Sequence, residues 1–230
     1  MGSDVFWVAV IPAGLAVALL LFGVREPAAG VRKAPGNPIT RTNLARLPRA
    51  YWWVVGIGAV FTLARFSEAF LLLRAQGGGV PVALVPLALL AMNVVYSLSA
   101  YPFGMLSDHV SHTRLLAFGL LVLLAADLVL AAGDHWSVLL AGVGLWGLHM
   151  GVTQGFLATM VADTAPADLR GTAYGFFNLV SGMAMLVASA LAGLLWDRFG
   201  ASQTFIAGAA FSALAWMAIL FRDRISALRR

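Results

Sequence analysis

The sequence lacks cysteine and is poor in charge. Because none of its 230 residues is cysteine, disulfides, thiol catalysis and cysteine-ligated metal sites are excluded. Lysine occurs once, as Lys33, outside every long apolar run, so no embedded lysine could form a retinal Schiff base. Charged residues make up 11% of the chain, whereas a soluble domain usually carries about 25%. These shortages favour a membrane protein.

Hydrophobic residues make up 61% of the chain and gather in long runs without Asp, Glu, Lys or Arg. A helix that crosses a bilayer needs about 20 mostly apolar residues, and these runs mostly lack the polar face of a soluble helix. The sequence therefore predicts an all-α membrane protein. We predict seven spans, at residues 5–24, 51–73, 83–106, 114–132, 137–161, 172–195 and 202–221. The first span has no basic leader or clear cleavage site, which favours a true span over a signal peptide.

The basic residues are distributed unevenly between the two sides of these spans. The net charge is +5, and twelve of the fifteen Lys and Arg residues lie in 25–49, 107–114, 163–170 and the tail from Arg222, all on one side. Positive charge collects on the cytoplasmic side, so we expect a cytoplasmic C-terminus, an external Met1 and an inner-membrane location. Topology thus accounts for the basicity, and nucleic-acid binding is not expected.

Composition predicts four segments along the chain. Residues 1–24 form a first transmembrane helix, 25–49 a basic cytoplasmic linker rich in proline, 50–221 a six-helix bundle and 222–230 a cytoplasmic tail. In the bundle, Gly104-Met-Leu-Ser-Asp108 and Gly193-Leu-Leu-Trp-Asp197 share the pattern G-x-L-x-D and fall on opposite sides of the membrane. The bundle is therefore predicted to be a 3+3 inverted repeat, which is typical of secondary transporters.

Two loops resemble the signature loops of the major facilitator superfamily. Gly104, Asp108 and Arg114 match the first signature, although its basic cluster is thinned here. The segment from Asp163 to Arg170 resembles the acid-x6-Arg loop, and LRGTAYGFF at 169–177 looks like the start of the family's eleventh helix. By this resemblance, the chain is similar to helices six to twelve of a twelve-helix transporter, which is its C-terminal half plus one helix.

The resemblance implies a charge network that latches the cytoplasmic side, and a second six-helix half that completes the transport cavity. That half would be another chain or a second copy of this one. The expected gating network consists of Gly104, Asp108, Arg114, Asp163, Arg170 and Gly171. Without the resemblance, the four charged residues of this set would be ordinary solvated loop charges, and isolated ion pairs between such charges contribute little to stability.

Arg65 and Glu68 interrupt the apolar second span, FTLARFSEAFLLLRA at 61–75. A charge at a helix centre costs about 2.5–3.5 kcal/mol, although at i and i+3 the two would share a helix face and partly neutralise each other. We expect both to face the bundle interior or a water-filled cavity. By the resemblance, Arg65 would attract an anionic or polar substrate group and Glu68 would change protonation. A structural ion pair is the alternative.

The spans that the resemblance places around the cavity also carry polar stripes. The candidate substrate and proton pathway consists of Arg65, Glu68, Asn93, Tyr96, Trp146, His149, Gln154 and Asn178. His149 could relay a proton or be a hydrogen-bonded packing residue. Asp127, in a span expected to be peripheral, could couple protons or be solvated near the external end. No histidine spacing within a span suits a metal, and no cofactor is expected.

We therefore expect a multi-pass transporter that moves a small solute by alternating access, with proton-coupled efflux of an amphipathic compound as the leading hypothesis. Its partners would be the substrate, membrane lipid and the second half. No hydrolytic triad or nucleotide-binding loop is visible, so an enzyme is not expected. The alternatives are a membrane interaction module that moves no solute and a fragment of a longer transporter.

Overall fold

A computed structural model describes residues 3–23 and 39–227 of the chain. Contacts divide the chain into two units between Asn37 and Pro38. The described part of the first unit is a single helix, α1 (Ser3–Gly23), with Pro12 inside it. The predicted first span, 5–24, lies within α1 except for Val24, which is outside the described residues. The predicted linker is described only from Ile39 onward, and the predicted tail only as far as Ala227.

The described part of the second unit consists of helices joined by short non-helical segments. Its helices are α2 (Arg41–Ala45), α3 (Arg49–Leu63), α4 (Ala69–Gly77), α5 (Val85–Leu106), α6 (His112–Ala132), α7 (Trp136–Thr164), α8 (Arg170–Phe199) and α9 (Ala201–Ala227). Short 3-10 turns lead into α5 and α8. Across the described residues, five helices, α5 to α9, are long and apolar enough to cross a membrane. The all-α membrane fold is thus confirmed, while the count of seven spans and the 3+3 repeat stay predictions.

The second predicted span, 51–73, is not one continuous helix. α3 ends at Leu63 and α4 begins at Ala69, and we call residues 64–68 between them the break. The Ser67 backbone N–H donates to Ser189 Oγ on α8 (3.2 Å), and Ser67 Oγ accepts from the Ala69 backbone N–H (3.3 Å). Serine side chains offer the backbone such alternatives to helical hydrogen bonds. The Ser67 contacts therefore help to hold the chain in a non-helical path where the sequence has no proline or glycine.

The core lies around α6 and α7. α7 packs against both α5 and α6, α6 also packs against α9, and α3 packs against α8. The α5–α7 contact is close, because a Cβ at Gly147 would overlap the Met92 carbonyl and one at Gly151 would overlap Ser99 Oγ. Within their most apolar stretches, α6 and α7 are 50% buried, but α5 is 22% and α8 only 17% buried. α5 and α8 therefore present broad faces that the described residues do not cover.

Candidate functional site

The break places Arg65 and Glu68, both half-buried, beside the main core. Glu68 and His149 lie near enough to Arg65 to interact with its charge, yet the described residues contain no ion pair within 4.0 Å at either Arg65 or Glu68. Because the break is not helical, the expectation of a shared helix face is wrong. The place of both residues in a substrate or proton pathway stays a prediction.

An aromatic cluster anchors the break from within. Phe66 is buried, and its ring centroid lies 5.4 Å from that of Trp146 on α7 and 5.4 Å from that of Phe205 on α9. Trp146 is fully buried, and its Nε1 has no hydrogen-bond partner among the described residues. Phe66 thus fixes the middle of the break, so that Arg65 and Glu68 flank an anchored residue. In this conformation Trp146 belongs to the core beneath them.

His149 on α7 is fully buried and holds one hydrogen bond. Its Nδ1 lies 2.8 Å from the Gly119 carbonyl oxygen on α6, and because a carbonyl only accepts, Nδ1 must donate. Its ring also stacks on Phe61, with centroids 5.3 Å apart. Nε2 has no partner among the described residues, which leaves a lone pair free in the neutral ring. The geometry fits a packing histidine and also a proton acceptor, so both interpretations stay open.

The other predicted pathway residues lie towards the surface of the described bundle. Asn93 on α5, Gln154 on α7 and Asn178 on α8 are exposed, and Tyr96 is half-buried. The Asn93 side-chain amide donates to the Leu89 carbonyl of its own helix (2.8 Å). Polar side chains in membrane spans usually face a bundle interior or a water-filled cavity rather than lipid. Three spans therefore carry exposed amide side chains, and we expect these side chains to contact a polar neighbour rather than lipid.

The predicted gating residues lie at one end of the second unit, which we call the gate end. Gly104, Asp108, Arg114, Asp163, Arg170 and Gly171 are all exposed. None of their charged groups forms an ion pair within 4.0 Å with another residue that the structure describes. The structure thus brings these residues to the same end of the unit without joining them, and the latch stays a prediction.

Two contacts that the sequence did not indicate hold the gate end together. Arg46 Nη2, after α2, lies 2.7 Å from Asp168 Oδ2, and both side chains are about half exposed. Tyr51 on α3 is fully buried and donates its hydroxyl hydrogen to the Ala173 carbonyl on α8 (3.0 Å). A small apolar core surrounds Tyr51. Both pairs are 122 residues apart in sequence, so no local pattern could have revealed them.

Arg74, which follows the predicted second span, is buried at the end of the second unit opposite the gate end, and we call this end the Arg74 end. Its Nε donates to the Leu130 carbonyl (2.8 Å), and its Nη2 donates to the Gly133 carbonyl (2.6 Å) and lies 3.7 Å from Asp134 Oδ1. Ser202, at the start of α9, donates to the neighbouring Ala131 carbonyl (2.7 Å). These bonds satisfy carbonyls that the end of α6 would otherwise leave unpaired.

Comparison with known proteins assigns the family. The sequence model described as Major Facilitator Superfamily matches residues 70–229, well over half of the chain. The chain belongs to the major facilitator superfamily. Members of this superfamily are membrane transporters, not enzymes. The match covers α4 to α9 and therefore includes both loops on which the sequence-based resemblance rests.

Several transporters are similar to the chain over much of its length. An MFS-type transporter of Methanocaldococcus jannaschii is 32% identical over 192 residues, which are 80% of this chain and 48% of that protein. The inner membrane transport protein YajR of Escherichia coli is 26% identical over 163 residues (68% and 35%), and a probable sugar efflux transporter of Pasteurella multocida is 29% identical over 150 residues (64% and 37%). The chain spans half or less of the length of these relatives.

Solved structures agree on the fold. The structure of an auto-inhibited POT family peptide transporter superposes with a TM-score of 0.59 at 20% identity, covering 77% of this chain and 37% of that one. A second POT family transporter superposes with a TM-score of 0.56 at 16% identity. The described bundle therefore shares the fold of part of these two transporters.

Proposed function

We propose that the chain forms one half of an alternating-access transporter that moves a small solute across the cytoplasmic membrane. The break carries this proposal. It puts Arg65 and Glu68 in a non-helical stretch between two helix ends, within a bundle whose spans are otherwise nearly free of charge. Discontinuous helices of this kind form the substrate and ion sites of many secondary transporters, because their ends expose unpaired backbone groups. The proposed substrate site is therefore centred on the break.

The proposed second half would cover α5 and α8. Their exposed surfaces combine the amides of Asn93 and Asn178 with large apolar side chains such as Leu98 and Leu186, which are 72% and 71% exposed. Lipid would solvate the apolar groups but offer the amides no hydrogen bonds beyond the one that Asn93 makes within its own helix, whereas a second six-helix bundle could contact both kinds of group. That bundle would be a second copy of this chain or another membrane protein, and the transport cavity would lie between the two halves.

For the transported solute we propose an amphipathic compound, exported in exchange for protons. Arg65 would bind a polar or anionic group of the substrate, and Glu68, the one acidic residue of the break, would take up and release the proton. The name of the Pasteurella multocida relative supports export, and it makes sugars the competing substrate class. The exposed Tyr101 and the apolar surroundings of Asn93 favour an amphipathic ligand over a fully polar one.

Flux in proteoliposomes tests this proposal. The full chain, with any membrane partner that co-purifies, is reconstituted under an imposed pH gradient, and proton movement is followed by a pH-sensitive dye on adding amphipathic amines, amphipathic anions or sugars. We expect an amphipathic compound to drive proton movement, and Glu68→Gln to abolish it. Glu68→Gln keeps the size of the side chain and removes its titration.

The control variant is Asp134→Asn, which removes a carboxylate that is 98% exposed, away from the break. It should retain full flux. If no compound drives proton movement although the protein inserts normally, a non-transporting interaction module replaces the transporter. If flux occurs but Glu68→Gln leaves it unchanged, the transporter stands and Glu68 loses its coupling role.

A further inference from the structure

Asp127 on α6 is buried without a partner. None of its side chain is exposed, and neither carboxyl oxygen has a hydrogen-bond partner among the described residues. The sequence left open whether this carboxyl is solvated near the external end of its span. Its complete burial excludes solvation in this conformation.

The carboxyl is enclosed by α9 and by the break. A Cβ placed on Gly208 of α9 would lie 2.9 Å from Asp127 Oδ2 and 2.9 Å from Cε1 of Phe66. Only glycine at 208 therefore lets the α9 backbone close over the carboxyl. Ser212, one turn further along α9, is also fully buried, and its hydroxyl has no partner among the described residues. Both the Asp127 carboxyl and a hydroxyl on the neighbouring helix are therefore buried with unused hydrogen-bonding capacity.

The elements packed around Asp127 offer it no partner charge. α9 has no ionisable residue from 201 to 220, and α7 has only His149 between 136 and 162, which is bonded to Gly119, about 12 Å away along α6. The break carries Arg65 and Glu68, and α4 carries Arg74, whose donors serve the carbonyls at the end of α6. Of these four groups, none forms an ion pair with Asp127 within 4.0 Å.

Neither protonation state of Asp127 is fully satisfied in this enclosure. A buried carboxylate without hydrogen bonds or an opposite charge is strongly disfavoured, so the group holds a proton instead. The resulting O–H donor is also unpaired, which is unfavourable for a permanent structural acid. An acid that exchanges its proton whenever the enclosure opens resolves this conflict, because water then solvates the carboxylate.

We propose that Asp127 is an enclosed proton-binding site, distinct from Glu68, the carboxyl of the proposed substrate site. Asp127 is a carboxylic acid while α6, Gly208 and Phe66 surround it. When the enclosure opens, the O–H bond breaks, the proton passes to water and the carboxylate remains. Phe66 belongs to the break, so a rearrangement of the substrate site would reach Asp127 directly. Its part in transport rests on the proposed function, whereas its proton exchange does not.

Infrared spectroscopy of the full chain in lipid nanodiscs tests the site without any substrate. A carboxylic acid that lacks hydrogen bonds has a C=O stretching band at higher wavenumber than a hydrogen-bonded acid. We expect such a band at neutral pH, its loss in Asp127→Asn and its retention in the matched control Asp134→Asn. The band should disappear reversibly as pH rises within the range in which the protein stays folded.

The enclosure itself is tested by Gly208→Ala, which forces α9 away from the carboxyl. The shift of the band after transfer to D2O should become several-fold faster than in the unaltered chain. Gly193→Ala, at a position where a Cβ meets nothing within 4 Å, should leave the exchange rate unchanged. This pair distinguishes the steric effect at Gly208 from the general effect of replacing a helical glycine by alanine.

Three results would overturn the proposal: no high-wavenumber band in the unaltered chain, a band that survives in Asp127→Asn, or a band that never titrates while the protein stays folded. The third would make Asp127 a permanently neutral structural acid. If the band titrates but no compound drives flux, the transport proposal is refuted and the proton site is supported. Flux in a protein without the band would support transport and refute the proton site.

Discussion

The two ends of the second unit hold their charges in opposite ways. At the Arg74 end, a buried guanidinium is satisfied within the chain by carbonyls of α6 and lies close to Asp134. At the gate end, Asp108, Arg114 and Asp163 are exposed, and none forms an ion pair within the described residues. The Arg74 end therefore satisfies its buried charge within the chain, whereas the gate end presents exposed charges that a neighbouring half could use.

The difference indicates how such a half could move. α4 is tied through Arg74 to the end of α6, whereas α3, on the other side of the break, packs chiefly against α8. The break thus joins two helices that belong to different packing groups. A displacement of α8 against the core would change the conformation of the break. Since Arg65 and Glu68 lie in the break, the proposed substrate site would move with it.

The largest loss of stability is expected from Arg74→Ala. This change leaves the Leu130 and Gly133 carbonyls without their donor, and hydrogen bonds to a charged group are worth roughly 1.5–3 kcal/mol. We expect the free energy of unfolding to fall by about that amount, measured as a lower midpoint of thermal unfolding by tryptophan fluorescence. Arg198→Ala, which removes an exposed arginine at the end of α8, is the control. Equal midpoints for the two variants would refute the asymmetry.

A conformational effect without loss of stability is expected from Asp108→Asn. Because the chain has no cysteine, Ser97→Cys on the exposed surface of α5 gives a single labelling site. If Asp108 helps to latch the gate end against a second half, its neutralisation should change the labelling rate of that cysteine several-fold. Asp134→Asn, at the other end, should not. A rate equal to that of the Asp134→Asn control would show that Asp108 is an ordinary solvated charge.

The smallest effect is expected from Arg46→Ala. Its pair with Asp168 is short, 2.7 Å, but the two side chains are 54% and 51% exposed, and water competes for exposed charges. Such pairs contribute about 0–1 kcal/mol. The unfolding midpoint should therefore fall much less than in Arg74→Ala, and the loss should shrink further in high salt. A loss as large as that of Arg74→Ala would mean that both ends are fastened with similar strength.

The helices of the bundle could be read from sequence because membrane spans are long, apolar and nearly free of charge. The five helices from α5 to α9 follow the predicted spans within a few residues at most of their ends. The close α5–α7 contact also has a local signal, since Gly147 and Gly151 are four residues apart, the spacing by which small residues let membrane helices approach. Such patterns can be recognised within a single stretch of sequence, without knowing which other helix packs against it.

The break and the burial of the candidate residues could not be read in the same way. The break depends on Ser67 meeting Ser189, a contact between residues 122 positions apart. Trp146 belongs to a polar stripe in the sequence, but polar and apolar residues are not divided clearly between two faces of α7, so periodicity could not show which face is buried. Arg74 looks like a loop charge until the end of α6 is placed beside it. Each of these features is set by tertiary contacts.

We propose above all that this chain is one half of a two-part transporter. The most direct test is its assembly state, measured by crosslinking in native membranes followed by native mass spectrometry of the purified full chain. We expect a two-fold assembly, formed with a second copy or with another membrane chain, and crosslinks from α5 and α8. A lone monomer whose α5 and α8 crosslink only to lipid would contradict it.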